Sequence, residues 1–502
     1  MKTDSNIFIL MNDFSEKLIG VQVSAIQRSK IFYEFITKNI EIVTTKFNKN
    51  IIQFSQLHMR RYALHDNINS KNLYVDILGM KDWNSGKTDI GKMFNHYYSE
   101  KISDFHEKYY DPQNNLKMYI VYSNKNETSE INYINHFNNK KKAKRDHFLS
   151  NSLILSQYLT HDGKIKREEY FDNNGISRII KEYEDNKISI IYLNNKYGII
   201  EKTFPNESEL IAWWLVNFVI KKNSIFIVDG GPHHIIPLKL INNIKVISVL
   251  HSNHIRSGED PLTGNFNSSE RKNLLATPNS VNACVILTDE QKQDIENRLD
   301  SHCLLYTIPH PNLNLTPNKN LDSRDYDKLI IISRLEKEKN ITEAIDIMQL
   351  VISKHPRKKL YIYGDGSEKD MLRNLISEKK LDDSIFLMGY TSDISKELND
   401  ATLFLMTSLY ESFGLSISES LSHGVPVLSY DFKYGPGTLI KNDENGFLIE
   451  NRNINLAANT IIQYYNDLER IRIMIDNAYE SVNWLSGENI SKLWVNLFKK
   501  IQ

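Results

Sequence analysis

The sequence predicts an α/β protein: two α/β units, the first carrying an inserted antiparallel β-meander. Three observations carry this. Strand-length apolar runs alternate with helical stretches at the start of the chain and again from residue 207 onward. Between about residues 105 and 195 that rhythm gives way to short alternating segments with Asn/Asp/Gly turns. A polar, turn-rich stretch, residues 313–327, then separates the two α/β regions.

A chain of 502 residues is long enough for two or three domains. Its 62 basic and 62 acidic residues cancel, which argues against a general nucleic-acid binder. The local run Lys140-Lys-Lys-Ala-Lys-Arg145 reads as a solvated loop. Two cysteines, Cys284 and Cys303, make no disulfide framework and fit a reducing, cytoplasmic setting. No transmembrane segment is expected. Residues 7–11 lie between Asp4 and Asp13 and read as a strand, not a signal peptide, while residues 210–220 are too few to span a bilayer and read as a core helix. Peripheral contact with the inner membrane face stays open.

In chain order, residues 7–11 form a first buried strand, followed by a loop ending at Gly20 and a helix over 21–37. Strand, glycine loop and helix is the unit that turns backbone amides toward a phosphate; a plain turn is the alternative for Gly20. The meander takes strands at 116–122, 152–158, 164–171, 177–183 and 188–193, with hairpin signals at Asp162-Gly163 and Asn173-Asn-Gly175. It shows no polar cluster suited to chemistry and reads as an interaction or acceptor-guiding module, or a decorative insertion.

Parallel strands resume at 225–228, 245–250, 283–287 and 304–308, ending in Asp229-Gly-Gly-Pro-His-His234, in His251-Ser-Asn-His254, in Thr288 and in Pro309-His-Pro-Asn312. Such strand ends gather at one edge, where ligands bind in open α/β sheets. His251 and His254 invite a shared metal site, but no third ligand is near in sequence. Asp325-Tyr-Asp327 precedes a strand and reads as a linker turn. In the second unit Arg334 and Lys339 leave a strand end just before a helix, where two cations suit a diphosphate leaving group.

A strand over 401–407 then leads to Glu411, to Phe413-Gly414-Leu415 and to a helix bearing Glu419, stopped by Gly424-Val-Pro426. The amides of Gly414 and Leu415 stand at that helix N-terminus, a place for phosphate or a sugar hydroxyl. This segment resembles the E-x7-E motif of retaining GT-B glycosyltransferases of family 4. The resemblance implies that Glu411 faces the donor sugar, in a catalytic or donor-orienting role, that Glu419 holds the nucleotide ribose, and that Phe413, Gly414 and Leu415 contact the donor. It matches Arg334, Lys339 and Asn340 to the family's diphosphate strand end and Gly20 to its glycine loop. His251 becomes a polar contact at sugar or acceptor, with a core or loop histidine as the alternative. Tyr361-Ile-Tyr-Gly-Asp-Gly366 and Phe386-Leu-Met-Gly-Tyr390 resemble further strand ends, Tyr390 lying near the base. Gly435-Pro-Gly437 stands where many relatives carry a Gly-Gly pair. No catalytic metal or other cofactor is implied.

The resemblance covers most of the chain. Its first domain and meander match a narrower group, which glycosylates wall teichoic acid or adds N-acetylglucosamine to serine-rich or serine–aspartate-repeat adhesins. The implied fold is GT-B: residues 1–104 and 196–315 as a Rossmann-like acceptor-side domain, 105–195 as the meander, 316–485 as the nucleotide-sugar domain, and 486–502 as a helix packing back on the first. The implied activity is retaining transfer from a UDP-sugar, N-acetylglucosamine favoured, to serine hydroxyls of a repetitive surface protein. The alternatives are α-glucosylation of poly(glycerol phosphate) and, outside enzymes, an acceptor-binding partner subunit. The meander is expected to support homo-oligomers or a partner subunit.

Overall fold

The computed structural model describes residues 4–82, 94, 96–123, 130–229, 231–256, 258–268, 281–299, 303–312, 321–391 and 393–501. Part of the expected linker, residues 313–320, and Gly230 lie outside the described residues.

A seven-stranded parallel sheet forms the first α/β domain. Its central strands Asn6–Met11 and Ser224–Val228 are apolar and buried nearly throughout, as strands covered on both faces must be. Strands Lys245–Val249, Ala283–Ile286 and Leu304–Thr307 extend one side; Ile40–Thr44 and Asn69–Asn72 extend the other. A six-stranded parallel sheet forms the second domain, ordered Ile385–Gly389, Lys359–Tyr363, Lys328–Ile332, Leu403–Met406, Val427–Tyr430, Gly446–Ile449. Helix Ile341–Lys354 covers it with Ile341, Ala344, Ile345, Met348 and Val351, an i, i+3, i+4 stripe. This is the GT-B arrangement of two Rossmann-like domains.

The C-terminal helix Gly487–Ile501 crosses back to the first domain. Its apolar face sets Trp494 and Phe498 edge-on against Phe32, at 5.2 and 5.8 Å between ring centroids. The expected turn at Asp325-Tyr-Asp327 is present, with Asp327 taking a hydrogen bond from Lys358 Nζ at 2.7 Å.

The meander is larger than the sequence predicts. Ten antiparallel strands follow one another in chain order, from Tyr98–Ser103 to Ile200–Phe204, so the sheet overruns both expected limits. The run Lys140–Arg145 is a correction: it enters strand Lys141–Leu149 instead of forming a loop. A two-residue hairpin starts that strand, with both Asn139 (φ 46°) and Lys140 (φ 63°) left-handed, a turn whose twist matches the flanking strands. Charge alone hid a strand that is part-buried or buried along most of its length.

The sheet is also more firmly seated than an appended module. Leu155, Tyr170, Ile179, Ile191 and Leu193 join the main core, while Met118, Ile120, Ile131, Ile134 and Phe148 form a second, small one. The absence of a polar cluster is overturned too. Lys181 on Ser177–Glu184 pairs with Glu207 and donates to Tyr74 Oη at 2.9 Å, both in the first domain, while Glu168 accepts from Tyr170 and Tyr183 at 2.8 and 2.7 Å. Cross-strand register assembles these groups, so no sequence spacing announces them. The expected core helix over 210–220 is helix Glu207–Trp214 continued by a π turn, Leu215–Val219, which leaves Val216 and Phe218 exposed.

Candidate active site

Both parallel sheets present their carboxyl edges to one cleft, as open α/β sheets do at ligand sites. On the second-domain side, strand Leu403–Met406 runs into the Glu411 loop. Lys339, last residue of the short helix Lys337–Lys339, pairs its ammonium with Glu411 Oε1, which also accepts from Ser408 Oγ at 3.2 Å. The backbone locks this arrangement: Leu409 N donates to Glu338 O at 2.9 Å, Thr407 Oγ1 to Asn340 O at 3.0 Å, and Tyr434 N to Glu411 O at 2.9 Å.

Helix Leu415–Ser422 starts at Gly414, whose φ is 86°. A side chain there would be left-handed and would place its Cβ 2.9 Å from Ile417 Cδ1, so only glycine fits the turn that aims the helix N-terminus into the cleft. Across the cleft the first domain answers with its own helix start: a Cβ on Gly20 would stand 3.4 Å from the Leu415 side chain. Two helix N-termini, Gly20 and Gly414–Leu415, therefore converge on the same space.

Glu419, one turn on, has no hydrogen-bond partner for its carboxylate among the described residues. It faces a cavity of about 350 Å³ shared with Gln27, Lys30, Arg61 and Tyr62 of the first domain. Burial pushes its carboxyl up to about 7. Tyr390, half exposed, stands near the same space: Arg61 donates to its hydroxyl at 3.4 Å, and Lys17 lies 5.5 Å over its ring.

Two sequence-predicted residues are placed differently from expectation. Arg334 leaves the strand end with its side chain 62% exposed and paired to Glu338 at 2.7 Å, so it does not join Lys339 in this structure. The Phe413 ring is 1% exposed and packs edge-on at 5.6 Å against His310, so it shapes the loop from beneath instead of offering a face to the donor.

The first-domain side holds the group that sequence reasoning only half found. His251 Nε2 lies 2.6 Å from Asp229 Oδ1, and Asp229 takes both oxygens to Arg28 Nη1, at 2.8 and 2.6 Å. Burial would raise the Asp229 carboxyl, but Arg28 and His251 outweigh it and hold it at about 2. His310 stacks on His251 at 5.4 Å; burial, then the neighbouring His251 and Arg28, hold its imidazole well below the usual range. His254, by contrast, turns to Pro261 O at 3.1 Å, so the two imidazoles serve different partners. Ser412, beside Glu411, donates to His251 O at 2.6 Å and ties the two edges together. Asp229 and His310 stood at quoted strand ends, a usable signal. Arg28 had none, being one polar residue among several on the buried side of helix Gly20–Phe35.

The fold carrying this cleft is shared with known proteins. Residues 315–481 match the family model described as Glycosyl transferases group 1. A poly(ribitol-phosphate) alpha-N-acetylglucosaminyltransferase of Staphylococcus aureus (strain COL) is 28% identical, over 98% of this chain and 99% of its own. A poly(glycerol-phosphate) alpha-glucosyltransferase of Bacillus subtilis (strain 168) is 26% identical over 98% of this chain and 74% of its own. A UDP-N-acetylglucosamine–peptide N-acetylglucosaminyltransferase GtfA subunit of Streptococcus agalactiae is 26% identical over 62% and 61%. The crystal structure of a mutant S. aureus TarM in complex with Fondaparinux, alpha-GlcNAc-glycerol and UDP superposes with a TM-score of 0.87 at 28% identity, covering 98% of this chain and 99% of that one.

Proposed function

We propose that this chain, with its Glycosyl transferases group 1 domain on a GT-B frame, is a retaining enzyme that moves a sugar from a UDP-sugar to hydroxyls of a polymeric acceptor. The observation that carries the reading is the Lys339–Glu411 pair beside the Gly414–Leu415 helix start, with His251 tied to the same loop through Ser412. The donor diphosphate lies against the helix N-terminal amides and Lys339, with Arg334 swinging in from its exposed pair. Glu419 receives the ribose hydroxyls and Tyr390 borders the base. The sugar then sits between Glu411 and His251.

Glycosyl transfer passes through an oxocarbenium-like state, so the site needs charge stabilisation at the departing diphosphate. The C1–phosphate oxygen bond breaks, the acceptor oxygen bonds C1 from the same face, and the acceptor proton leaves with the diphosphate. Lys339, Arg334 and the amides neutralise the leaving group without a metal. Glu411 orients the sugar in this single step. Acting as nucleophile instead, it would bond C1 as the phosphate oxygen leaves, and the acceptor oxygen would then break that bond.

The full-length likeness to the poly(ribitol-phosphate) and poly(glycerol-phosphate) enzymes supports a polyol-phosphate acceptor. The likeness to the GtfA subunits supports serine hydroxyls of a repeat protein. N-acetylglucosamine is the favoured sugar for serine or poly(ribitol phosphate) hydroxyls, and glucose for poly(glycerol phosphate). The enzyme works in the cytoplasm, where UDP-sugars are held, and no helix of the described residues is long and apolar enough to cross a membrane. The two edges of the ten-stranded sheet expose Tyr98, Ile102, Ile199 and Ile200, and suit self-association or a partner subunit. Mass spectrometry of poly(ribitol phosphate), poly(glycerol phosphate) and a serine-rich repeat protein, each with UDP-glucose and UDP-N-acetylglucosamine, tests the reading. Transfer to one polymer class selects it; transfer to none, with no donor hydrolysis, overturns the proposal.

A further inference from the structure

We infer that Asp229, clamped by Arg28, is a positioning residue that fixes the tautomer and ring orientation of His251 and leaves its Nδ1 as a hydrogen-bond acceptor for a hydroxyl of the sugar or the acceptor. The argument is geometric. The Asp229 side chain is 0% exposed, Arg28 is 3% exposed, and their bonds of 2.6 and 2.8 Å hold the carboxylate in one place. An ionised carboxylate only accepts, so at 2.6 Å the hydrogen of the contact belongs to His251 Nε2. In the neutral imidazole Nδ1 then carries no hydrogen, and it makes no hydrogen bond among the described residues.

The ring cannot turn freely. His310 stacks on it at 5.4 Å, and Ser412 holds its backbone carbonyl from the other domain. The charged or titratable groups set against it are Asp229, which follows strand Ser224–Val228, Arg28 of helix Gly20–Phe35, and His310, which follows strand Leu304–Thr307. Arg28 in turn lies 5.2 Å over the Trp494 ring, so the C-terminal helix packs behind the clamp. Burying a charge pair this deeply is costly unless its geometry is complete. Here His251, at 8%, is the most exposed of the three, and the buried pair serves to orient it.

The tautomer claim stands on geometry alone; its kinetic consequence rests on the glycosyl-transfer reading. Nitrogen NMR of histidine-labelled protein, with His251 assigned by its loss in His251→Ala, reports the tautomer whether or not the protein turns over. The Nε2–H form is expected in the wild type and its loss in Asp229→Asn. A wild-type Nδ1–H form overturns the inference. In transfer assays Asp229→Asn should lower kcat about 100-fold, the scale of a misplaced reacting group, with UDP affinity unchanged. Combined with His251→Ala it should add no further loss, since both changes remove one function. Additive losses would show that Asp229 acts apart from His251 and would overturn the inference. If Asp229→Asn fails to fold, Arg28→Met with Asp229→Asn removes the unpaired charge, and the same comparison is made there. A wild type that transfers no sugar defeats the functional reading, while the NMR result still decides this one.

Discussion

The two edges that face each other across the cleft are built on opposite electrostatic plans. On the first sheet, Arg28, Asp229 and His251 are 3, 0 and 8% exposed and bonded to one another. On the second, Lys339 and Glu411 are 13 and 19% exposed, and Arg334 is 62% exposed. A buried pair is locked, because removing one partner strands a charge in low dielectric at about 3–5 kcal/mol. Of these second-edge pairs only Arg334–Glu338 has a largely exposed partner and exchanges at small cost, since exposed pairs contribute only about 0–1 kcal/mol, whereas Lys339–Glu411 is mostly enclosed. The first edge is thus a fixed template, and the second is graded, with Lys339 and Glu411 mostly enclosed and Arg334 placed to exchange partners.

The strongest way to break this contrast is at Lys339. If it changes partner from Glu411 to the leaving group, Lys339→Ala lowers turnover about 100- to 1,000-fold, the effect of deleting one preorganised donor. Initial rates of UDP release measure it. Arg334→Ala, starting from an exposed pair, should cost less than Lys339→Ala in the same assay; an equal or larger cost would mean that exposure in the free protein does not rank the two cations.

Glu419 sharpens the contrast from the binding side. Its carboxyl, pushed up to about 7 by burial, has no hydrogen-bond partner among the described residues, and on the proposed reading ribose hydroxyls donate to it. Such bonds favour the ionised form, so the bound carboxyl titrates lower than the free one and binding releases a proton. UDP affinity should fall as pH drops through about 7, and calorimetry in buffers of different ionisation enthalpy should detect the proton. Glu419→Ala should weaken UDP by about 1.5–3 kcal/mol, the worth of hydrogen bonds to a charged group, and remove that pH dependence. An unchanged pH profile would take Glu419 out of the site.

Smaller effects probe the supports. Gly414→Ala forces a left-handed alanine against Ile417 and should destabilise by about 1–3 kcal/mol, read as a lowered Tm. Ile200→Lys, on the exposed edge strand Ile200–Phe204, should leave UDP binding untouched and lower the mass seen in light scattering if that edge pairs with another chain. Excising the whole sheet would disturb the main core, to which Leu155, Tyr170 and Ile179 belong.

The second edge was the more legible of the two. Glu411, Gly414, Leu415 and Glu419 lie within one short segment, so their spacing along a strand–loop–helix unit shows in the chain itself. Local rules dictate such units: an apolar run, a glycine where only a left-handed turn fits, then a helical period. Phe413 shows the limit of that reading, because its neighbourhood in sequence did not reveal which way its ring points. The ten-stranded sheet was legible in kind but not in extent. Alternation survives in the apolar strands, whereas Tyr98–Ser103, exposed throughout, and the basic Lys141–Leu149 carry too weak an apolar signal to be seen.

The sequence by itself determined the two parallel sheets, the meander inserted in the first and the positions of Glu411, Glu419, Lys339 and Gly414, because each depends on residues a few places apart. The tertiary structure alone decided that Arg28 meets Asp229 across 201 positions, that Ser412 reaches His251 across 161, and that Lys181 finds Tyr74 across 107. No local rule links such pairs. They exist because burying the two sheets and their helices brings distant polar groups together in low dielectric, where each is stable only once its partner is in place.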